Sequence, residues 1–71
     1  MHEQRLRNTI KTQRAKLNFT QEQLAERVKV SRKTINTIEN GRFIPSTVLA
    51  LQLSRALRVS VEDLFQLDDS K

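Results

Sequence analysis

The sequence predicts an all-α domain of five short helices. Glycine and proline, which interrupt helices, occur once each, as Gly41 and Pro45. Apolar residues recur at spacings of three and four along most of the chain, which is the helical period. Ser and Thr residues stand at the points where helices would begin and can cap them. A chain of 71 residues is one domain, which we place at residues 1–67, with 68–71 as a short acidic tail.

The first two helices are separated by a clear boundary signal. We expect helix one from about His2 to Leu17, with an apolar stripe that includes Ile10. Thr20 and Gln23 have the spacing of a capping box, and Phe19 can pack on Leu24 as a hydrophobic staple. Helix two is therefore expected at 21–28.

Helix three follows so closely that a helix-turn-helix is predicted. Ser31 is its N-cap, and Val30 can pack on Ile35. Only Lys29 and Val30 lie between the end of helix two and this cap, which makes the two helices cross steeply. Helix four is expected at about 46–57. Helix five follows the cap Ser60.

Helix three has two chemically different faces. Ile35 and Ile38 lie three residues apart and are expected to point inward. The opposite face has no acidic residue before Glu39, whereas an ordinary surface helix mixes acids with bases. Its side chains can donate hydrogen bonds to base edges and phosphates, and they are Arg32, Lys33, Asn36, Thr37 and Asn40. We interpret this face as a DNA-contacting surface.

The charge distribution supports a polyanionic partner. Residues 1–58 contain twelve Lys and Arg against four acids, a net charge of +8, whereas residues 59–71 carry −3. A basic body attracts polyanions at long range. Charge alone does not distinguish nucleic acid from a membrane surface or an acidic protein.

Helix four is apolar around most of its circumference, which is typical of a helix that is covered on most sides. We expect Ala50, Leu51, Ser54 and Leu57 to face the core of the domain. The remaining apolar residues are then candidates for a homodimer interface. Helix five and the segment after it are the alternative cover within one chain. The interface candidates are Val48, Leu49, Leu53, Ala56, Phe65 and Leu67.

The sequence offers no support for an enzyme. There is no cysteine, and the single histidine, His2, lies at the N-terminus. No glycine-rich phosphate loop and no paired carboxylates in a recognisable cleft are present, so we expect no metal and no cofactor. The polar N-terminus lacks the apolar segment of a secretion signal, and no apolar run is long enough to span a bilayer. We expect a soluble, cytoplasmic protein.

Four stretches together resemble a known family. TQEQLAERV, VSRKTINTIENG, PSTVLALQLSRAL and VSVEDLF look like the repressor/Cro-type helix-turn-helix family, the lambda-repressor-like or xenobiotic-response-element family of bacterial and phage regulators. The resemblance covers about Phe19 to Phe65. It implies a five-helix DNA-binding domain that regulates transcription, more often as a repressor, and binds duplex DNA as a homodimer.

The resemblance also implies roles for individual residues. Base contacts are expected from Arg32, Lys33, Asn36 and Thr37, and phosphate contacts from Gln21, Ser31, Asn40 and Arg42. A structural ion pair is expected between Arg14 and Glu39. Lys29 and Arg58 stand where family members often have glycine in a left-handed turn.

Two alternatives remain open. The same fold occurs in antitoxins and in protein-interaction modules, whose main partner is another protein. The acidic end of the chain is also compatible with a linker to a ligand-sensing domain in a longer regulator.

Overall fold

The computed structural model describes residues 5–68, which form five helices and one two-stranded sheet. The predicted helical fold class is confirmed, and the sheet is an addition to it. Within residues 5–68, no helix has the length and apolar character needed to cross a membrane. The elements in chain order are β1 (Arg5–Asn8), α1 (Ile10–Leu17), α2 (Gln21–Val28), α3 (Arg32–Glu39), α4 (Thr47–Leu57), α5 (Val61–Leu64) and β2 (Phe65–Asp68).

Four helices begin at the predicted caps. The side chain of Thr20 accepts a hydrogen bond from the backbone N–H of Gln23, and the side chain of Gln23 accepts one from the N–H of Thr20. Ser31, Ser46 and Ser60 each accept from the N–H group three residues further on. Such a cap is typically worth about 1 kcal/mol. The starting points of α2 to α5 are therefore encoded locally.

The prediction of a helix from about His2 was wrong over residues 5–8, while His2 itself lies outside the described residues. These residues form β1, which pairs antiparallel with β2 so that Asn8 lies opposite Phe65. The N–H of Thr9 donates to the carbonyl of Leu64 at 2.9 Å, and Asn8 Oδ1 accepts from the N–H of Ile10 at 3.2 Å. The backbone groups of residues 5–9, which would bond within a longer helix, are thus bonded to residues 64–68 instead. Asp68, the first residue of the predicted acidic tail, belongs to β2.

Three helices end in a left-handed residue that is not glycine. Lys29 and Arg58 have φ of 60° at the ends of α2 and α4, at the two places where the family resemblance predicts a left-handed turn. Asn18 has φ of 58° at the end of α1, which the sequence analysis missed. This conformation costs non-glycine residues roughly 1–2 kcal/mol. The cations of Lys29 and Arg58 favour the negative ends of their helices and offset part of that cost.

The core is formed by one apolar side of each helix together with Phe65 of β2. α2 packs against both α3 and α4, so the helix-turn-helix rests on the remainder of the domain. The side chains that are fully buried are Ile10, Leu24, Ile35, Ile38, Leu53 and Leu64.

The predicted orientation of α4 was partly wrong. Ser54 and Leu57 are buried as expected, but Leu51 is 54% exposed. Leu53 and Leu49, which were expected to face away from the core, are buried in it. α4 therefore covers one of its apolar sides within the chain and leaves another in solvent.

Candidate nucleic-acid interface

The turn between α2 and α3 holds the two helices in a fixed crossing. Lys29 adopts the left-handed conformation, which lets the N–H of Val30 donate to the carbonyl of Ala25 at 3.0 Å. Ser31 then starts α3 by accepting from the N–H of Thr34 at 3.1 Å. Three residues separate the two helices, which is helix-turn-helix geometry.

α3 is divided into a buried side and an exposed side. Ile35 and Ile38 are at most 1% exposed, and both belong to the core cluster that contains Leu24 and Val28 of α2. Arg32, Lys33 and Asn36 are exposed. The predicted base-contacting residues on the first turns of α3 therefore project from the domain, and the isoleucines underneath fix their direction.

Thr37 differs from the other predicted base-contacting residues. It is half-buried, and its hydroxyl donates to the carbonyl of Lys33 at 2.6 Å. This bond uses the only hydroxyl proton, so the Thr37 oxygen can only accept any further hydrogen bond. Such an oxygen suits a base amino group, and the methyl group of threonine suits a thymine methyl.

The predicted phosphate-contacting residues lie at the ends of α2 and α3. Ser31 is the exposed N-cap of α3, and Gln21 is the first residue of α2. Asn40 and Arg42 are exposed just after α3, where Gly41 at φ 75° turns the chain. Helix N-termini carry unpaired N–H groups and a positive dipole, both of which attract phosphate.

The ion pair predicted between α1 and α3 is present. Arg14 Nε lies 2.7 Å from Glu39 Oε2, and a second guanidinium nitrogen donates to Oε1 at 3.2 Å. Arg14 also donates to the carbonyl of Phe19 at 2.9 Å. The two charged side chains are only 14% and 7% exposed. The single carboxylate on α3 is therefore neutralised on the inner side of the helix, and the outer side is purely cationic and neutral-polar.

An interaction that the sequence analysis missed connects this pair to the exposed face. Gln21 Nε2 donates to Glu39 Oε1 at 3.1 Å and to Asn36 Oδ1 at 3.2 Å. Gln21 was expected to hold a phosphate through both its side chain and its backbone. Its carboxamide is instead bonded within the protein, and the pattern of residue types offered no signal for this.

The interface candidates predicted for a dimer divide into two groups. Leu49, Leu53 and Phe65 are at most 9% exposed because they fill the core of their own chain, so their assignment to an interface was wrong. Ala56 is half-buried, and Val48 and Leu67 are 65% and 60% exposed. Three exposed apolar residues were missed, namely Phe43, Ile44 and Leu51. Within residues 5–68, no group of three or more His, Asp or Glu side chains is placed to hold a metal ion.

Comparison with known proteins identifies the family. Residues 10–64 match the helix-turn-helix family HTH_3. A protein of Methanothermobacter thermautotrophicus described as an uncharacterised HTH-type transcriptional regulator is 49% identical over 65 residues, covering 90% of this chain and 94% of its own. The HTH-type regulator YgzD of Bacillus subtilis is 39% identical and covers 90% and 97%.

A solved structure agrees with these relatives. The restriction-modification controller protein C.AhdI of Aeromonas hydrophila superimposes with a TM-score of 0.71 at 26% identity, over 76% of this chain and 82% of that one. The relatives come from archaea as well as bacteria. The chain thus belongs to the HTH_3, or Cro/C1-type, helix-turn-helix family of DNA-binding transcriptional regulators.

Proposed function

We infer that the chain binds a specific duplex DNA site with α3 in the major groove. The observation that carries this proposal is the outer face of α3, where Arg32, Lys33 and Asn36 are exposed and the only carboxylate of the helix is paired inward with Arg14. Arginine, lysine and asparagine are the side chains that bond most readily to purine edges in the major groove.

Contacts to the DNA backbone position the domain, and contacts to bases select the sequence. Backbone contacts are assigned to Ser31, Asn40 and Arg42, together with the N–H groups at the start of α2 beside Gln21. Base contacts are assigned to Arg32, Lys33, Asn36 and Thr37. Because cation–phosphate contacts release counterions, binding should weaken steeply as salt is raised.

The domain is proposed to act as a homodimer. Five large apolar side chains are 47% to 68% exposed, and we refer to them as the apolar surface: Phe43, Ile44, Val48, Leu51 and Leu67. Phe43 and Ile44 line one cleft with Leu6, and Leu67 lies opposite Leu6 in the sheet. Val48 and Leu51 share one side of α4. Two-fold dimers, in which both copies use the same surface, are by far the commonest homo-oligomers, and such a dimer would cover these residues.

Selection of bound sites from random duplexes at moderate salt tests DNA binding and dimerisation together. The expected result is a palindrome whose half-site centres lie about 10–10.5 base pairs apart, as for dimeric helix-turn-helix proteins. Failure to enrich any sequence contradicts sequence-specific binding. Sedimentation at micromolar concentration, with and without the selected site, tests the dimer, and a monomer in both samples rules it out.

Repression is the proposed regulatory outcome, because a compact domain that occupies a promoter site blocks access to it. A reporter gene placed behind the selected site should be expressed less when the protein is present. A protein-interaction role is the competing function for the apolar surface. A stable complex with a different protein, accompanied by no selected DNA site, would establish that role instead.

A further inference from the structure

Two amide side chains assigned to the DNA-contacting surface are bonded to each other across the helix-turn-helix. Gln21 on α2 donates to Asn36 on α3 at 3.2 Å and to Glu39 at 3.1 Å. Glu39 is held in turn by two hydrogen bonds from Arg14 on α1. One continuous chain of polar groups therefore runs from the buried ion pair to the exposed surface of α3.

The chemistry of Glu39 fixes the direction of every bond in this chain. An ionised carboxylate is only an acceptor, so the Gln21 group facing it has to be the NH₂. The same NH₂ lies against Asn36, which has to turn its carbonyl oxygen toward Gln21. The NH₂ group of Asn36 is then the part left to face outward.

We propose that Glu39 is a positioning residue that makes Asn36 present a hydrogen-bond donor to DNA, so that Asn36 selects a guanine rather than an adenine. Guanine offers two adjacent acceptors, N7 and O6, in the major groove. The bidentate contact of asparagine with adenine needs the carbonyl oxygen to accept from the adenine amino group, and Gln21 holds that oxygen. This inference rests on the proposed function.

The same geometry alters the role of Gln21. Both protons of its NH₂ group are used within the protein, so its side chain does not donate to a phosphate. Its phosphate contact is left to its backbone N–H, which stands in the first turn of α2, where helix N–H groups have no intrahelical acceptor. Gln21 thus serves mainly to transmit the orientation of Glu39 to Asn36.

The bond directions can be measured without DNA. Gln23 is a matched control on the same helix, because its carbonyl oxygen accepts from the N–H of Thr20 and its NH₂ group is left to solvent. Exchange of side-chain amide protons with water, followed by NMR, should be several-fold slower for Gln21 than for Gln23. Equal exchange rates would overturn the proposed arrangement.

The DNA test uses the selected site and a variant that keeps the ion pair. Asn36→Ala first identifies the base pair that Asn36 contacts. At that position the unaltered protein should prefer guanine over adenine by about tenfold, the value of one well-placed hydrogen bond. Gln21→Leu frees the Asn36 amide to rotate, and the preference should fall below about threefold. Glu22→Gln, which removes a charge from an exposed residue of α2, should leave the guanine preference of the unaltered protein unchanged.

Glu39→Gln gives a second result. Oε1 of Glu39 accepts from both Arg14 and Gln21, and an amide can place either its oxygen or its NH₂ group there. Gln21 is then no longer held in one orientation, and the guanine preference should fall below about threefold. Circular dichroism checks that each variant is folded. If Glu39→Gln does not fold, Gln21→Leu carries the test alone. An adenine preference in the unaltered protein, or an unchanged guanine preference in folded Gln21→Leu, overturns the inference. Absence of any selected site instead contradicts the proposed function itself.

Discussion

α3 and α4 each have a buried side and an exposed side, but only in α3 do the residue types show which side is which. In α3 the buried residues are isoleucines and the exposed ones are polar or cationic, so the residue types reveal the orientation. In α4 the buried Leu53 and the exposed Leu51 are chemically identical. Only the packing against α1, α2 and α5 decides which leucine faces inward.

This difference shows how the two helices serve the domain. A polar outer face leaves α3 free to contact DNA while its isoleucines hold it on α2. The exposed side of α4 combines Val48 and Leu51 with Gln52 and Arg55, so it is more apolar than the exposed side of α3. This difference fits the proposed contacts of α3 with DNA and of α4 with a second copy of the chain.

The largest expected effect separates the two leucines of α4. Leu53→Ala removes a fully buried side chain and should lower the free energy of unfolding by about 2–5 kcal/mol. Leu51→Ala should change it by less than about 0.5 kcal/mol in the monomer. Urea unfolding at several protein concentrations measures both, because only loss of a dimer depends on concentration. A larger loss of monomer stability for Leu51→Ala would contradict the orientation of α4.

A second effect distinguishes a cation of α3 from an exposed cation on another helix. Lys33→Ala should reduce discrimination between the selected site and random DNA by about 1–3 kcal/mol, because a base contact is lost. Lys16→Ala removes an exposed cation from α1 and should leave that discrimination unchanged. Competition binding with both duplexes gives the comparison. Equal weakening on selected and random DNA by Lys33→Ala would refute its role in base contact.

The smallest expected effect comes from the serine N-caps of α3 and α4. Ser31 and Ser46 each accept a hydrogen bond from the N–H three residues on, at 3.1 Å. Replacing either by alanine should cost about 1 kcal/mol of folding stability. Ser31→Ala should also weaken DNA binding, because Ser31 is assigned a phosphate contact. Similar DNA affinities for the two variants, at equal stability, would remove Ser31 from the interface.

The parts of the fold that depend on neighbouring residues were predictable. The caps of α2 to α5, the tight turn after Val28 and the inward isoleucines all follow from spacings of a few residues. The pairing of β1 with β2 was not predictable, because Leu6 and Ile10 can lie on one side in a helix or in a strand followed by a helix. The partner strand β2 lies near the opposite end of the sequence, and no local pattern predicts that β1 pairs with it.

In the candidate site, too, local patterns were predictable and contacts between distant residues were not. Exposure of Arg32, Lys33 and Asn36 followed from the helical period. The ion pair of Arg14 with Glu39 came from family resemblance, and the bonds of Gln21 to Asn36 and Glu39 required the crossing of α2 and α3 to be known. Side chains that meet across a turn depend on an angle that residue spacing does not specify.

Mapping of the DNA-bound surface by NMR tests the central claim most directly. Titrating isotopically labelled protein with a selected duplex should shift the backbone signals of Ser31 to Thr37 and of Asn40 to Arg42, while those of Ala15 and Lys16 on α1 stay nearly unchanged. Shifts concentrated around Ala15 and Lys16, with α3 unaffected, would contradict the account.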